Sequence, residues 1–329
     1  MRAVVMEGFG GTEVLKMRDM PMPEPKPNQI QIRVACASVN PADWKARAGW
    51  LKPITQTEWN FPIILGFDAA GIVSKVGAET SRFKVGDRVF GWVAHAMGHW
   101  GSYAEYCAVD EENCAHIPAG MDYATAACIP VAGLTGSQAL ITEDRINLKP
   151  GQTILVHGAS GGVGSYVVQF AKLMGAKIAA TCSTRNIDYV KSLGADFVID
   201  YKMQDIHKEL RKWAPEGVDA VLDAVGLLTL PDPLRLLKKG GVYLQIMTTH
   251  KSDFEGPTDA DAAKLGVRSM LRSMYSSPEH MAQMAKAIVE GKVKVGHMDI
   301  LPLEKAGEAQ SRIEDGHTRG KMVLRVADL

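Results

Sequence analysis

Hydrophobic positions along the chain keep two different periods, and the change falls near Asp122. Before it, short alternating or continuous apolar runs lie between glycines and prolines, at residues 3–6, 29–37, 70–76, 88–92 and 102–109. Such spacing predicts strands of a mainly antiparallel, barrel-like unit. Between Val39 and Pro62 the alternation lapses into a segment with Trp44, Trp50 and Trp59, which reads as a short helix and a loop. After Asp122 helical and strand patterns take turns. A helix is expected over 123–140, a β-branched strand over 153–157, an amphipathic helix over 163–174, and further pieces at 177–181, 189–193, 197–199, 220–223 and 242–247. Alternation of this kind produces a doubly wound parallel sheet covered by helices. Residues 248–266 are polar without a period, 278–290 read as a helix, and 321–326 read as a closing strand that returns to the first unit.

The sharpest local signal is Ile154-Leu155-Val156-His157-Gly158-Ala159-Ser160-Gly161-Gly162-Val163-Gly164, an apolar strand, a glycine-rich turn and a helix start. Glycines let the backbone approach a pyrophosphate closely, and the unpaired N–H groups of the following helix favour its negative charge. Two other readings are a plain tight turn and the related loop of a methyl-donor nucleotide site. An NAD site carries Asp or Glu about 20 residues beyond the first glycines to accept the ribose hydroxyls. This chain has Thr181-Cys182-Ser183-Thr184-Arg185 there instead. Hydroxyls and a guanidinium suit the 2′-phosphate of NADP, although Arg185 at a helix start also reads as a solvated charge.

Composition narrows the function classes. The 329 residues suffice for two ordinary domains or one large one, since domains run to roughly 100–200 residues. Thirty-seven basic against 37 acidic residues leave no net field to hold a polyanion, so nucleic acid is not expected as a partner. Five scattered cysteines without a CxxC pair build neither a disulfide framework nor a zinc ribbon, and fit a reducing compartment. No apolar run reaches the roughly 18 to 20 residues of a membrane span, and the first residues enter a strand-like run rather than a leader. A cytoplasmic protein is expected, with a matured organelle protein or peripheral association with a membrane surface as the alternatives.

Several segments point to one family: Val39-Asn40-Pro41-Ala42-Asp43, Leu65-Gly66-Phe67-Asp68-Ala69-Ala70-Gly71, Lys84-Val85-Gly86-Asp87-Arg88-Val89, the glycine turn followed by Leu193-Gly194-Ala195-Asp196, and Gly316-His317-Thr318-Arg319-Gly320-Lys321-Met322-Val323-Leu324. Together they resemble the zinc-free quinone oxidoreductase branch of the medium-chain dehydrogenase/reductase superfamily, over nearly the whole chain. The resemblance implies an α/β fold: a Rossmann doubly wound parallel sheet domain, residues 123–266, inserted in a GroES-like mainly-β barrel domain, residues 1–122 and 267–329. It also implies an active site in the cleft between them. The apolar strand 242–247 offers a sheet edge for pairing across a twofold, and on that ground a homodimer is expected.

The site residues follow from the same resemblance. Asn40, Asp43 and Lys45 are implied as catalytic side chains beside the nicotinamide. Cofactor contacts are implied for Asn40, Lys45, Thr135, Ala159, Ser160, Gly161, Gly162, Val163, Gly164, Ser183, Thr184, Arg185, Tyr201, Ala224, Val225 and Lys321. Plainer roles compete: Asn40 before Pro41 starts turns, Lys45 is a solvated charge, and Tyr201 is a strand-end aromatic. Zinc relatives carry a cysteine on the early strand–helix turn and a His–Glu pair after a glycine, whereas here Gly66 is followed by Phe67 and Asp68. The four close cysteines of a structural zinc lobe are also missing from 92–106. His95 and His99 are spaced as a helical metal pair but lack a third ligand, and a loop is expected there.

Without a metal, chemistry rests on positioning a hydride donor against an electron-poor carbon and offering a donor to the developing oxyanion. Quinones and α,β-unsaturated carbonyls suit this, so an NADPH-dependent reductase of such small molecules is expected. The competing expectation is an NADPH-binding interaction or structural protein with little turnover. Trp44, Trp50, Trp59, Trp92 and Trp100 form either an aromatic mouth or core packing. Met270, Met274, Met281 and Met284 recur at helical spacing and are expected in a core or dimer face.

Overall fold

The computed structural model describes residues 1–53, 55, 58–93, 100–226, 229–246, 257 and 259–329. In chain order the first strands and helices are β1 (Arg2–Met6), β2 (Leu15–Asp19), β3 (Gln29–Val39), α1 (Pro41–Arg47), β4 (Ile63–Ile64), β5 (Asp68–Val76), β6 (Arg88–Trp92), β7 (Tyr106–Asp110), β8 (Cys114–His116) and α2 (Tyr123–Ala127). Next come α3 (Pro130–Ile141), β9 (Thr153–His157), α4 (Gly162–Leu173), β10 (Lys177–Cys182), α5 (Ile187–Ser192), β11 (Phe197–Asp200), α6 (Ile206–Trp213), β12 (Val218–Asp223) and β13 (Leu237–Gln245). The chain finishes with α7 (Asp259–Leu265), β14 (Arg268–Leu271), α8 (Pro278–Val289), β15 (Met298–Pro302), α9 (Ala306–Glu314) and β16 (Lys321–Arg325).

Two compact units are present. The first comprises Met1–Leu134, Ser276–Gly291 and His297–Leu329, and the second Thr135–Tyr275 and Lys292–Gly296. Relative to the expected boundaries, packing groups 123–134 with the first unit because α2 lies on β3 and β5. It groups 267–275 with the second because β14 joins the parallel sheet.

Among the described residues, the first unit holds a seven-stranded sheet ordered β15-β16-β3-β5-β6-β8, with β7 on β3, and a three-stranded sheet ordered β2-β1-β4. The long strand β3 organises the larger sheet: it pairs antiparallel with β5, β7 and the closing strand β16. Its apolar side chains Ile30, Ile32, Val34, Ala37 and Val39 are all buried. At its end Asn40 caps α1 with Pro41 in the first turn, where a missing N–H costs nothing, and the Asp43 carboxylate accepts from the Asn40 N–H at 2.7 Å.

The second unit is a parallel sheet of six described strands ordered β11-β10-β9-β12-β13-β14. Central β9 is apolar through Ile154, Leu155 and Val156, all fully buried, as a strand covered on both faces requires. The order reverses between β9 and β12, and the carboxyl ends of strands at such a switch point are where α/β sheets bind ligands.

Five expectations need correction. The helix expected over 123–140 is two helices, α2 and α3, because Pro130 has no N–H and its ring disfavours a helical residue before it. The strand expected over 102–109 is confined to β7, since Gly101, Tyr103 and Glu105 donate instead to Ile64, Leu65 and Arg2. The polar stretch 248–266 contains α7, whose acidic first turn and Lys264 suit the helix dipole; 248–256 and 258 lie outside the described residues. Strand β13 is no free edge, being paired by β12 on one side and β14 on the other. The four methionines do not share a helix: Met270 is in β14, while Met281 and Met284 are buried on α8.

Candidate active site

The first unit gathers a buried polar cluster where β3, β5 and β16 meet. Register puts Ser38 opposite Asp68 and Met322 opposite Val39, so Lys321 comes to lie beside Asn40. The Asn40 amide is oriented from both ends: its Nδ2 donates to Asp68 Oδ2 at 2.8 Å, and its Oδ1 accepts from Lys321 Nζ at 2.6 Å. Asp68 Oδ2 also accepts from Ser38 Oγ at 2.5 Å, and Oδ1 from the Val131 N–H at 3.0 Å. The Lys321 ammonium stands 3.7 Å from Asp68. Burial raises the Asp68 pKa, opposed by Lys321 and by the Asn40 and Ser38 hydrogen bonds.

Asp43 is fully buried beside this cluster, and both of its oxygens serve the backbone. Oδ2 takes the Asn40 N–H, and Oδ1 takes the Gly66 N–H at 3.0 Å. Burial pushes its pKa up to about 7, opposed by the Asn40 backbone bond and reinforced by the Asp68 charge. Lys45 is buried on α1 with its ammonium 5.9 Å from the Trp44 ring centroid. Trp44 and Trp59 are buried, packed on Trp50 and Phe9 at centroid distances of 5.1 and 5.4 Å, so these two fill the core.

The second unit builds the glycine turn. Gly158 has φ +82°, and an added Cβ would meet Val225 Cγ2 at 2.6 Å. At Gly164 a Cβ would meet the Gly158 carbonyl oxygen at 2.3 Å, so only glycine lets α4 rise this close to β9. Gly161 is the N-cap of α4 and supplies no side-chain cap, which leaves N–H groups of Gly162, Val163 and Gly164 at the helix start. Ala159 is buried, and Ser160 is joined to Ser183 through Asn186 Nδ2, 3.2 Å from each hydroxyl.

The ends of β10 and β11 are neighbours, with Cys182 opposite Asp200. Ser183, Thr184 and Arg185 therefore start beside Tyr201, whose N–H donates to the Cys182 carbonyl at 3.2 Å. Ser183 is buried while Thr184, Arg185 and Tyr201 are exposed. At the end of β12, Asp223 accepts from the N–H groups of Val225 and Gly226 and from the Tyr243 hydroxyl, fixing the turn that carries Ala224 and Val225 against Gly158. Thr135 is buried on α3. A cradle that a Cβ would fill, followed by an uncapped helix start, fits a dinucleotide pyrophosphate.

Comparison with known proteins accounts for both units. Residues 26–119 match the alcohol dehydrogenase GroES-like domain family, and residues 193–324 match the zinc-binding dehydrogenase family. The chain is 34% identical over 329 residues to a chloroplastic quinone oxidoreductase of Triphysaria versicolor, spanning 98% of each. It belongs to the quinone oxidoreductase branch of the medium-chain dehydrogenase/reductase superfamily. A chloroplastic NADPH-dependent alkenal/one oxidoreductase of Arabidopsis thaliana is also 34% identical, over 98% of this chain and 79% of its own length. The structure of Escherichia coli quinone oxidoreductase complexed with NADPH superposes with a TM-score of 0.88 at 26% identity, covering 99% of this chain and 100% of that one.

Although one matched family is described as zinc-binding, the described residues of this member of the quinone oxidoreductase branch do not present a set of donors that fits a catalytic zinc. Phe67 is buried where those relatives carry an imidazole, and both oxygens of Asp68 already accept from Ser38, Asn40 and Val131. Among the described residues no group of three or more His, Cys, Asp and Glu is placed to hold a metal; His95 and His99 lie outside them. Purified protein is expected to contain no stoichiometric zinc by elemental analysis and to keep its activity in a strong chelator. One tightly held zinc per chain, or activity lost to chelation and restored by zinc, would overturn this. Among the described residues no helix is long and apolar enough to cross a membrane.

Asp68, Asn186 and Asp223 were not among the residues singled out from the sequence as site residues. Asp68 sits in a segment that identified the family, yet its role depends on partners from three other segments. Asn186 and Asp223 had no sequence signal beyond their place just after or at the end of a strand.

Proposed function

We propose that this oxidoreductase is an NADPH-dependent, zinc-independent reductase that passes a hydride to small quinones or α,β-unsaturated carbonyls. In this reading residues 1–122 and 267–329 form the catalytic domain and 123–266 the dinucleotide-binding domain, boundaries that depart from those of the two compact units at 123–134, 267–275 and 292–296. Ala159, Ser160, Gly161, Gly162, Val163 and Gly164 cradle the pyrophosphate, and Ala224 and Val225 flank it. Ser183, Thr184, Arg185 and Tyr201 hold the 2′-phosphate by charge-assisted bonds. Asn40, Lys45, Thr135 and Lys321 hold the nicotinamide end.

When bound, NADPH supplies a hydride from its nicotinamide C4. The chain's own part is to position and to stabilise charge. The observation that carries the reading is the Asn40 amide, fixed by Asp68 and Lys321 with one N–H beyond those bonds. A preorganised amide donor stabilises a developing enolate or hydroquinone oxygen without reorganising at the moment of reaction. Lys321 keeps the amide from flipping, and Asp43 holds the turn that presents it. A saturated alcohol would require a base to take its hydroxyl proton, and the carboxylates of Asp43 and Asp68 are committed to other hydrogen bonds, so alcohol oxidation is not part of the reading. The relatives' quinone and alkenal/one activities support the same substrate class.

Steady-state NADPH oxidation with a panel of quinones and enones tests the proposal. The expected result is turnover on several of them and none on ethanol. Asn40→Ala should lower kcat about 100-fold, the loss typical of one oxyanion donor, even at saturating NADPH. Tight NADPH binding with no turnover on any acceptor would instead identify a binding protein. Sedimentation velocity, expected to give a homodimer, and fractionation into the cytoplasm or an organelle complete the assignment.

A further inference from the structure

The second unit buries an imidazole that the hydride chemistry leaves without a task. His157 ends β9 directly before Gly158 and is 1% exposed. Its Nδ1 lies 2.7 Å from Thr181 Oγ1 and its Nε2 lies 2.9 Å from Thr229 Oγ1.

Proton counting assigns each donor. The Thr229 hydroxyl has one proton and donates it to the Gly226 carbonyl at 3.0 Å. Toward His157 it accepts, so Nε2 carries the ring proton. In a neutral ring Nδ1 is then a lone pair, and it accepts from the Thr181 hydroxyl. The Thr181 oxygen in turn accepts from the Gly158 N–H at 3.2 Å. Burial holds the His157 pKa below its usual value, against the pull of Asp223, which is its register partner on β12. The result is one chain of hydrogen bonds, Gly158 to Thr181 to His157 to Thr229 to Gly226, with every donor facing the same way. Such chains strengthen cooperatively.

The two ends of this chain are the two turns on which Val225 packs against Gly158. We propose that His157 is a positioning residue for the dinucleotide: as the neutral, Nε2-protonated tautomer it locks the Gly158 turn to the Gly226 turn and so sets cofactor affinity without touching the cofactor. The inference rests on the glycine turn being the dinucleotide site.

The test measures NADPH affinity by fluorescence titration together with kcat at saturating NADPH, on full-length protein. His157→Gln offers an acceptor and a donor flanking one carbon, as the imidazole does, and should bind within about threefold of the parent. His157→Leu removes both and should weaken binding tenfold or more with kcat at saturation within twofold. Thr229→Val cuts the chain at its far end and should fall in between; it carries the test if His157→Leu does not fold. Nitrogen-15 chemical shifts of the parent should report a neutral ring protonated at Nε2. The opposite tautomer, an imidazolium at neutral pH, or unchanged affinity in Thr229→Val and His157→Leu would overturn the proposal. A parent protein that binds neither NADPH nor NADH would instead defeat the dinucleotide reading on which it rests.

Discussion

Replacing Asp68 with alanine is expected to destabilise the first unit by about 3–5 kcal/mol, the usual cost of breaking a buried ion pair from one side. Asp68 is fully buried and Lys321 is 5% exposed, so the ammonium would lose its counter-charge without gaining water. Three further donors would lose their acceptor: the Ser38 hydroxyl, the Asn40 amide and the Val131 N–H. Urea denaturation read by tryptophan fluorescence measures the loss. The double variant Asp68→Leu with Lys321→Met should be less destabilised than Asp68→Ala, because no charge is then left stranded. A loss under 1 kcal/mol in Asp68→Ala, or a double variant worse than the sum of the singles, would contradict the role given to the pair. Any Asp68→Ala protein that still folds should resemble Asn40→Ala in its lowered kcat, since the amide has lost the acceptor that orients it.

Arg185→Ala acts at the other end of the proposed cofactor. Loss of a charged phosphate contact costs about 1.5–3 kcal/mol, or roughly 10- to 150-fold in affinity. NADPH should weaken by that factor and NADH should stay nearly unchanged, because only NADPH carries the 2′-phosphate. Saturating NADPH should restore turnover in this variant and leave Asn40→Ala impaired. Equal losses for both dinucleotides would remove Arg185 from the phosphate site. The expectation is specific to the end of β10, where Ser183, Thr184 and Arg185 stand in place of the carboxylate that an NAD site needs.

The strand–turn–helix of β9 and α4 was legible because each of its parts is local. Three consecutive apolar residues make a covered strand, Gly158 takes a positive φ, and Gly164 sits in the first turn of the helix that packs close behind that turn. Elements with weaker signals were not legible. Strands β8, β14 and β15 are short and mix apolar residues with polar ones or proline, so neither a continuous apolar run nor a period of two marks them. The break between α2 and α3 is marked only by Pro130, inside an apolar run that keeps the helical pattern on either side of it.

By itself, then, the sequence determined the change of period near Asp122, the glycine turn after β9, the Phe67-Asp68 pair that follows Gly66 and the polar residue types at the end of β10, because each is read from residues close together in the chain. Only the tertiary structure decided which polar groups meet. Asn40 reaches Asp68 across 28 residues and Lys321 across 281, and both contacts exist because β3 pairs with β5 and β16 in one particular register. His157 likewise finds Thr181 and Thr229 at separations of 24 and 72 residues. Register between strands distant in sequence is set by burial of whole sheet faces, so it leaves no local mark, and a slip by one residue would turn Ser38 and Asp68 to opposite faces.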